Sequence, residues 1–305
     1  MMFILNDNMI EINKEQHVFE FSKDNQPVAF CDDHDQVIFH TLDCYSDRVK
    51  TPDYDWDEFL IRVNPVTGPL YINNAQPGDT LLVKIIDIKL NSSGIIVSKP
   101  YNGVFGKEID EKITKIVNIN DHKVIFDDNL TFDIKPMIGS IGTAPIAGSI
   151  ASNTPNNHGG NMDSRMITIG SIVELPVFVE GGLLAMGDLH AIMGDGEVNG
   201  SGVECGGSVT VQVSIIKGRR LTNPRVIHAH TLYTIASGID FDMASRIACK
   251  EMVKIIMDHN KLDLKQAGIL MSAIGNLEVC QIVNPLVTAR FGFDLRYLNY
   301  DIKEQ

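Results

Sequence analysis

The sequence predicts a mainly β fold, made of β-sandwich-like sheets with a smaller α/β portion near the C-terminus. In the first two-thirds of the chain, segments rich in Val, Ile and Thr alternate apolar and polar residues, as half-buried strands do. Turn-forming residues separate these segments, and the absence of a strand–helix–strand rhythm disfavours a doubly wound parallel sheet. The six clearest strand segments are 79–90, 94–98, 122–126, 166–179, 208–216 and 225–230.

The last third of the chain changes to helical periodicity. Apolar residues recur at helical spacing over 241–259, and Asp242 is placed to cap the start of this helix. A second helix is expected over 263–274, beginning at another capping aspartate and ending at Gly275. A final strand is expected over 277–284.

The composition indicates one globular protein with an acidic surface. Because no linker or repeat marks a boundary, we expect one compound domain over 1–305, β-rich over about 1–235 and helix-containing over about 240–300. The net charge of −13 disfavours nucleic acid and anionic membrane surfaces as partners. No apolar run reaches the roughly 20 residues that span a bilayer. Five dispersed cysteines without CxxC spacing indicate reduced thiols and a cytoplasmic location.

Acidic residues are concentrated in one region that lacks basic residues. Between Arg165 and Lys217 there is no Lys or Arg, and four of the region's six acids lie within the glycine-dense stretch 187–204. Burying such carboxylates without a partner costs several kcal/mol, so either a bound metal ion or solvent exposure must relieve the repulsion. The six acids are Glu174, Glu180, Asp188, Asp195, Glu197 and Glu204.

Two glycine-rich segments, 156–163 and 187–197, combine histidine with carboxylates. If the second segment is extended, its Asp-x-His pair points to one face, as two ligands of one ion must. In the first segment, a histidine and an aspartate flank a Gly-Gly bend. Imidazole and carboxylate ligands suit zinc with an open position for water, whereas solvated turns are the alternative. The predicted metal ligands are His158, Asp163, Asp188 and His190.

A cysteine nucleophile is a second possibility. Cys205 follows Glu204 and precedes a Gly-Gly-Ser sequence, but no lysine lies nearby and the G-x-S-x-G motif is absent. A small buried structural residue is the alternative role for this cysteine. The pair Asp43-Cys44 forms another polar cluster that could supply a further ligand.

Five motifs together resemble the acetamidase/formamidase family. They occur in chain order as NPVTGP (64–69), PMIGSIGTAP (136–145), HGGNMD (158–163), GDLHAIMGDGEV (187–198) and AIGNLEVCQIVNP (273–285). The resemblance implies a largely β fold, hydrolysis of a short neutral amide such as formamide or acetamide to the acid and ammonia, a homo-oligomer, and a divalent metal at the His/Asp cluster. One departure is Pro155-Asn156-Asn157, where family members often have glycines.

From this resemblance follows a hypothesis of metal-dependent amide hydrolysis. The ion, zinc or alternatively calcium, would polarise the amide carbonyl and lower the pKa of a water. Glu197, or else Asp195 or Glu204, would accept the water proton and deliver it to departing ammonia. Backbone amides in the glycine-rich turns would contact the small substrate, and the predicted substrate-binding residues are Gly159, Gly160, Asn161, Gly194 and Gly196.

Two alternatives remain open from the sequence. One is an amidase that uses Cys205 as its nucleophile with Glu204 beside it. The other is a metal-stabilised β-sandwich binding module without turnover, in which the acids hold calcium structurally. Release of ammonia from small amides would distinguish an enzyme from a binding module.

Overall fold

The computed structural model describes residues 9–54 and 62–298, and within these ranges the chain consists mainly of strands. Most strands belong to two large sheets, whose apolar faces share one core cluster. Val37 and Val83 come from one sheet, whereas Leu70 and Ile138 come from the other. The predicted mainly β fold with sandwich-like sheets is therefore confirmed.

The first sheet contains nine strands of the described ranges and is mostly antiparallel. Their spatial order is β1 (Ile10–Ile12), β5 (Gln36–Thr41), β18 (Gly207–Ile216), β7 (Thr80–Leu90), β15 (Ile172–Pro176), β19 (Arg225–His228), β20 (Thr231–Gly238), β22 (Val287–Asp294) and β21 (Asn276–Gln281). β7 and β18 form its longest ladder. The sheet therefore joins strands from the start, the middle and the end of the chain.

The second sheet contains eleven strands of the described part of the chain and carries the site. Its main path is β11 (Thr131–Asp133), β10 (Lys123–Ile125), β9 (Ile113–Asn120), β8 (Ser93–Ser98), β17 (Glu204–Cys205), β16 (Leu184–His190), β12 (Met137–Gly142) and β14 (Gly159–Asn161). β6 (Val66–Ile72) also pairs with β16, and β2 (His17–Val18) and β4 (Ala29–Cys31) pair with β6. A separate two-stranded antiparallel sheet joins β3 (Glu20–Ser22) to β13 (Ser149–Ala151).

Two helices lie in the described part of the chain, α1 (Phe241–Asn260) and α2 (Leu264–Ile274). The apolar face of α1 packs on β20 and β22 in a second core cluster. Asp263 caps α2 as predicted, in a capping box with Gln266. The cap of α1 is Asp240 and not the predicted Asp242, because Asp240 has the extended backbone of an N-cap residue and accepts from the backbone N–H of Met243.

The predicted elements are largely present, with instructive differences. The segment 166–179 forms a strand only over β15, because Gly170 adopts a positive φ within the turn that precedes it. β20 and β22 were not predicted, and they place the C-terminal portion in the same sheet as β7 and β18. The number of domains stays a prediction. Neither described helix has both the length and the apolar character of a membrane span.

Candidate active site

Strand pairing in the second sheet brings the predicted site residues together. β16 carries Asp188 and His190, and β17 pairs with it so that Glu204 lies opposite His190. β12 pairs with β16 along the other edge of that strand and also with β14. Asp163 follows β14 and Glu197 follows β16, so both loops begin at strands that flank β12.

His190 is the centre of a buried cluster of carboxylates. Its Nε2 lies 2.9 Å from Oε2 of Glu204, 3.8 Å from Oδ1 of Asp188 and 4.0 Å from Oδ1 of Asp163. All four side chains are almost completely buried. Ligand atoms lie within 4.8 Å of one another in three overlapping groups: Asp163, Asp188 and His190; His190, Glu197 and Glu204; and Cys44, Asp188 and Glu204.

Two asparagines hold the outer oxygens of the aspartates. The side-chain amide of Asn64 donates to Oδ2 of Asp188 at 2.7 Å, and that of Asn284 donates to Oδ2 of Asp163 at 2.7 Å. Oδ1 of Asp163 is buried and has no hydrogen-bond partner among the described residues. Outer hydrogen bonds of this kind orient metal ligands and leave the inner oxygens available.

The two aspartates approach the backbone of β12 closely, at a position where there is no side chain. A Cβ atom at Gly139, on β12, would lie 2.5 Å from Oδ1 of Asp163 and 2.7 Å from Oδ2 of Asp188. An unpartnered buried carboxylate oxygen and an imidazole, with ligand atoms within 4.8 Å of one another, fit a divalent cation. The donor set suits zinc or another borderline first-row ion.

The electrostatics of the aspartates reflect their crowding. Burial raises the pKa of Asp163 to about 7, and the charge of Asp188 adds to this shift. Burial and the charge of Glu204 likewise raise the pKa of Asp188. Without a cation, protons would therefore take the place of the positive charge that the cluster lacks.

The two glutamates differ in protonation. Burial and the charge of Asp163 raise the pKa of Glu197 well above its usual range. Burial would also raise the pKa of Glu204, but contact with His190 more than offsets it and lowers that pKa. Burial opposes the charge of His190, yet Glu204 and Asp188 raise its pKa well above the usual range. In the metal-free protein these shifts favour an ion pair between Glu204 and His190 and the protonated form of Glu197. A cation bound to His190 would replace the imidazole proton.

Three carboxylate residues of the cluster have unusual backbone conformations. Asp163, Asp188 and Glu197 have φ values of 47°, 58° and 47°, in the left-handed region. Non-glycine residues seldom adopt this region, and the strain costs about 1–3 kcal/mol at each position. Such strain persists only where surrounding contacts enforce it, and it is common at functional sites.

A small polar cavity of about 200 Å³ opens onto the cluster. Its lining includes Asp188, Glu197 and Glu204, so the carboxylates are accessible to a small molecule. Amide and amine side chains from several loops complete the wall. Further lining residues are Cys44, Tyr45, Asn64, Lys99, Asn102, Asn153, Asn161 and Asn284.

His158, a predicted ligand, belongs to none of the three ligand groups among the described residues. Its ring packs edge-on against Phe21, with centroids 4.8 Å apart, and burial lowers its pKa to about 4. Neither ring nitrogen has a hydrogen-bond partner among the described residues. The Gly-Gly bend does not fold His158 toward Asp163, because Gly159 and Gly160 extend along β12 as part of β14.

Asp195 is also separated from the cluster, by strong ion pairs. Arg165 and Arg290 both donate to its two carboxylate oxygens. Burial would raise the pKa of Asp195, but these hydrogen bonds outweigh it and lower the pKa, which disfavours a role as general base. The region without basic residues in the sequence therefore receives cations from elsewhere, since Arg219 likewise pairs with Glu174.

The predicted substrate-binding glycines serve different purposes. A Cβ at Gly159 or Gly160 would collide with the backbone of Ile141 or Thr154, so these glycines permit close strand packing. Gly194 is exposed, and the buried Gly196 donates its N–H to the carbonyl of Cys280. Of the predicted set, Asn161 lines the cavity.

Cys205 has the environment of a structural thiol. It is buried, its Sγ donates to the carbonyl of Leu189, and burial raises its pKa to about 12. A thiol in this state is a poor nucleophile at neutral pH. Cys44, by contrast, lies beside Asp188 and Glu204, in agreement with the further ligand suggested by the sequence.

Sequence reasoning missed Asn64 and Asn284 as supports of the aspartates. A signal existed, because both residues lie in motifs that carry the family resemblance, NPVTGP and AIGNLEVCQIVNP. Turn chemistry explained the first motif equally well, and the second was predicted as part of a strand. Only the folded chain shows that their amides reach carboxylates more than a hundred residues away.

The fold and the site together define a mainly β protein with a metal-compatible, enzyme-like centre. A profile of the Acetamidase/Formamidase family matches residues 6–152 and 146–284. The chain therefore belongs to the acetamidase/formamidase family, a family of hydrolases of linear amides, and the predicted resemblance is confirmed.

Solved structures and curated relatives agree with this assignment. An acetamidase from Bacillus halodurans is 41% identical, with a TM-score of 0.91 over 94% of this chain and 98% of that chain. A predicted acetamidase/formamidase from Thermoanaerobacter tengcongensis is 42% identical, with a TM-score of 0.90 over 93% and 95% of the two chains. The acetamidase of Mycolicibacterium smegmatis is 28% identical over 53% of this chain and 56% of that protein. The chain spans 54% to 60% of the length of the curated relatives that it matches.

Proposed function

We propose that this chain hydrolyses short aliphatic amides, such as formamide and acetamide, to the carboxylic acid and ammonia, with the help of a divalent cation. The observation that carries the proposal is the buried cluster of Asp163, Asp188 and His190 at a cavity of about 200 Å³. This cluster lies in a chain of the acetamidase/formamidase family.

Asp163, Asp188 and His190 are the proposed ligands, with Glu204 beside them. Zinc is the preferred ion, because imidazole is a poor ligand for calcium, which prefers oxygen donors. When bound, the ion would supply Lewis acidity to the amide carbonyl and to a water. Asn64 and Asn284 keep the two aspartates oriented for this purpose.

Glu197 is the proposed general base and acid. It lines the cavity, and its Oε1 accepts the backbone N–H of Gly202, which leaves Oε2 to carry the transferred proton. A cation bound nearby would favour the charged form of Glu197. Oε2 would then accept a proton from the attacking water and deliver it to the departing nitrogen as the C–N bond breaks. Glu204 and Asp195 are less suited, since contacts with His190 and with two arginines lower their pKa values and so make each a weaker base.

The substrate would be neutral and small. The cavity walls offer several side-chain amides, which can hydrogen-bond an amide substrate without a charge on it. A substrate with so few atoms supplies little binding energy, and we therefore expect a high KM. The net charge of −13 continues to disfavour nucleic acid and anionic membranes as partners.

A homo-oligomer and a cytoplasmic location are further proposals. The oligomer rests on the family resemblance, and light scattering during size-exclusion chromatography would measure it. The location is supported by the five cysteines, which are all free thiols and mostly buried. Reduced thiols are the normal state in the cytoplasm.

The experiment is ammonia release from formamide and acetamide by native, metal-stripped and zinc-reloaded protein. We expect stripping to abolish turnover and zinc to restore it, and His190→Ala to reduce turnover by at least about 100-fold. His122→Ala, which changes an exposed histidine, is the matched control and should behave as wild type.

The variant Cys205→Ser distinguishes the cysteine mechanism from the metal-dependent one. Under the metal-dependent proposal it should retain turnover. Full activity in metal-free protein, or loss of activity in Cys205→Ser with metal still bound, would contradict the metal-dependent proposal. A protein that binds metal and releases no ammonia from any small amide would be the binding module.

A further inference from the structure

A buried arginine on β22 joins two acids that are far apart in sequence. Arg290 is 1% exposed, and its Nη1 and Nη2 donate to Oδ1 and Oδ2 of Asp195 at 2.9 Å and 2.7 Å. Its Nε donates to Oε2 of Glu278 at 2.6 Å. Burying a guanidinium is costly, and this arrangement offsets the cost with paired, two-pronged charged hydrogen bonds.

A second guanidinium, from the loop after β14, also donates hydrogen bonds to Asp195. Nε and Nη2 of Arg165 donate to Oδ1 and Oδ2 of Asp195 at 2.9 Å and 2.6 Å. Each carboxylate oxygen thus accepts two hydrogen bonds, which uses all the acceptor sites of the group. The carboxylate is therefore fixed from both sides and cannot rotate without losing charged contacts.

The chain positions of these residues relate the network to the site. Arg165 is two residues after Asp163, and Asp195 is two residues before Glu197. The ion pairs therefore connect the loop that carries a proposed metal ligand to the loop that carries the proposed general base.

Backbone hydrogen bonds fix the same loop to the C-terminal hairpin. The N–H of Gly196 donates to the carbonyl of Cys280, and the N–H of Ile282 donates to the carbonyl of Gly196. Glu197, the next residue, has a φ of 47° that it would leave if the loop were free. The strained geometry of Glu197 thus depends on contacts made by its neighbours.

The hairpin also reaches the other side of the site. Oε1 of Gln281 accepts the backbone N–H groups of Val283 and Asn284, which shapes the turn after β21. Asn284 then donates to Asp163. The hairpin of β21 and β22 consequently supports both Glu197 and Asp163, although it contributes no member of the ligand groups formed by the described residues.

We propose that Arg290 and Asp195 are a positioning pair that fixes Glu197 relative to Asp163. The role in turnover rests on the proposed amide hydrolysis, whereas the effect on loop geometry does not. Neither residue touches the cavity; they act through the loop of residues 194–202. Asp195 was a catalytic candidate on sequence grounds. In this proposal it instead acts by positioning Glu197.

The test compares Arg290→Met, Arg290→Lys and Asp195→Asn in the full chain. We expect Arg290→Met and Asp195→Asn each to lower kcat by about 10–100-fold with little change in KM, because a displacement of 1 Å at a catalytic group costs about 100-fold. Arg290→Lys should recover part of the loss, since lysine keeps the charge but lacks the two-pronged geometry. The double variant should be no worse than the worse single variant, because both changes break one link.

Hydrogen exchange measured by mass spectrometry supplies a readout independent of activity. We expect faster exchange over 194–202 in Arg290→Met and in Asp195→Asn. Exchange in the distant strands β9 and β10 should remain as in wild type. Arg296→Met is the matched control, because this arginine is 74% exposed and pairs with Asp294 at the end of the same strand. It should leave kcat and exchange unchanged.

The outcomes separate the two proposals. Variants with lower thermal stability but unchanged kcat and unchanged exchange over 194–202 would show a merely structural ion pair and overturn the inference. If wild-type protein hydrolyses no amide, the proposed function fails, and the exchange experiment still decides the positioning role. Should Arg290→Met fail to fold, Asp195→Asn decides alone, since it is isosteric and leaves Arg290 paired with Glu278.

Discussion

At the scale of single residues, the two carboxylate oxygens of each aspartate in the cluster have different surroundings. One oxygen of Asp163 and one of Asp188 accept a hydrogen bond from an asparagine amide. An amide can satisfy a carboxylate without neutralising it, so the negative charge remains for a cation. An arginine in place of either asparagine would instead compete with the metal.

The role of Asn284 can be tested by truncation. We expect Asn284→Ala to weaken zinc binding by about 10–100-fold, because Asp163 loses the bond that orients it. Isothermal titration calorimetry with zinc on metal-stripped protein is the measurement. Asn153→Ala is the control, since Asn153 lines the same cavity and its carbonyl oxygen accepts from Thr154. Equal zinc affinity in Asn284→Ala and wild type would contradict the supporting role.

At the scale of elements, β12 determines the space in which the acids meet. It pairs with β16 and β14, so its backbone runs between the strands that lead to Asp188 and Asp163. Six residues of this strand are buried, and glycine at 139 keeps the space near both carboxylates clear. The motif PMIGSIGTAP therefore forms a buried strand in which position 139 must lack a side chain.

Two glycine substitutions should have opposite effects. Gly139→Ala would place a methyl group 2.5 Å from Asp163 Oδ1, and we expect it to weaken zinc binding at least about 10-fold and destabilise the fold by about 1–3 kcal/mol. Gly268→Ala, inside α2 with open space around it, should stabilise by up to about 1 kcal/mol. Denaturant unfolding and zinc titration measure both. Full zinc affinity in Gly139→Ala would show that the space is not needed.

At the scale of the whole molecule, the cluster couples folding, protons and metal. The pKa of Asp163 rises from 3.8 to about 7 on folding, so the folded metal-free protein holds a proton that the unfolded chain releases between these values. The contribution of Asp163 to the stability of the metal-free protein therefore falls as pH rises from about 4 to about 7. A bound cation removes this penalty, because it favours the charged carboxylate.

Thermal unfolding at two pH values tests this coupling. Zinc should raise the Tm more at pH 8 than at pH 6, and at 100 times its Kd it should add about 2.7 kcal/mol of stability. Asp163→Asn is isosteric and should lose most of both the zinc effect and its pH dependence. A Tm shift on zinc addition that is the same at pH 6 and pH 8 would contradict the linkage.

Local sequence patterns predicted the types of most strands and helices and several members of the candidate site. Alternation of apolar residues located β7 and β18, and helical spacing located α1, because these patterns follow from local geometry. The Asp-x-His pair was expected on an extended strand, but Asp188 has a φ of 58° within β16, so regular alternation alone does not explain why both side chains enter the cluster. The family motifs added amide hydrolysis as the expected chemistry.

Contacts between distant parts of the chain determine which acids have a cationic partner and which do not. Asp195 and Glu197 have the same spacing as Asp188 and His190, yet one meets two arginines and the other enters the cluster. Arg290 lies 95 residues from Asp195, so no local pattern could pair them. Electrostatic energy depends on distance in space, and strand pairing across the whole chain sets that distance.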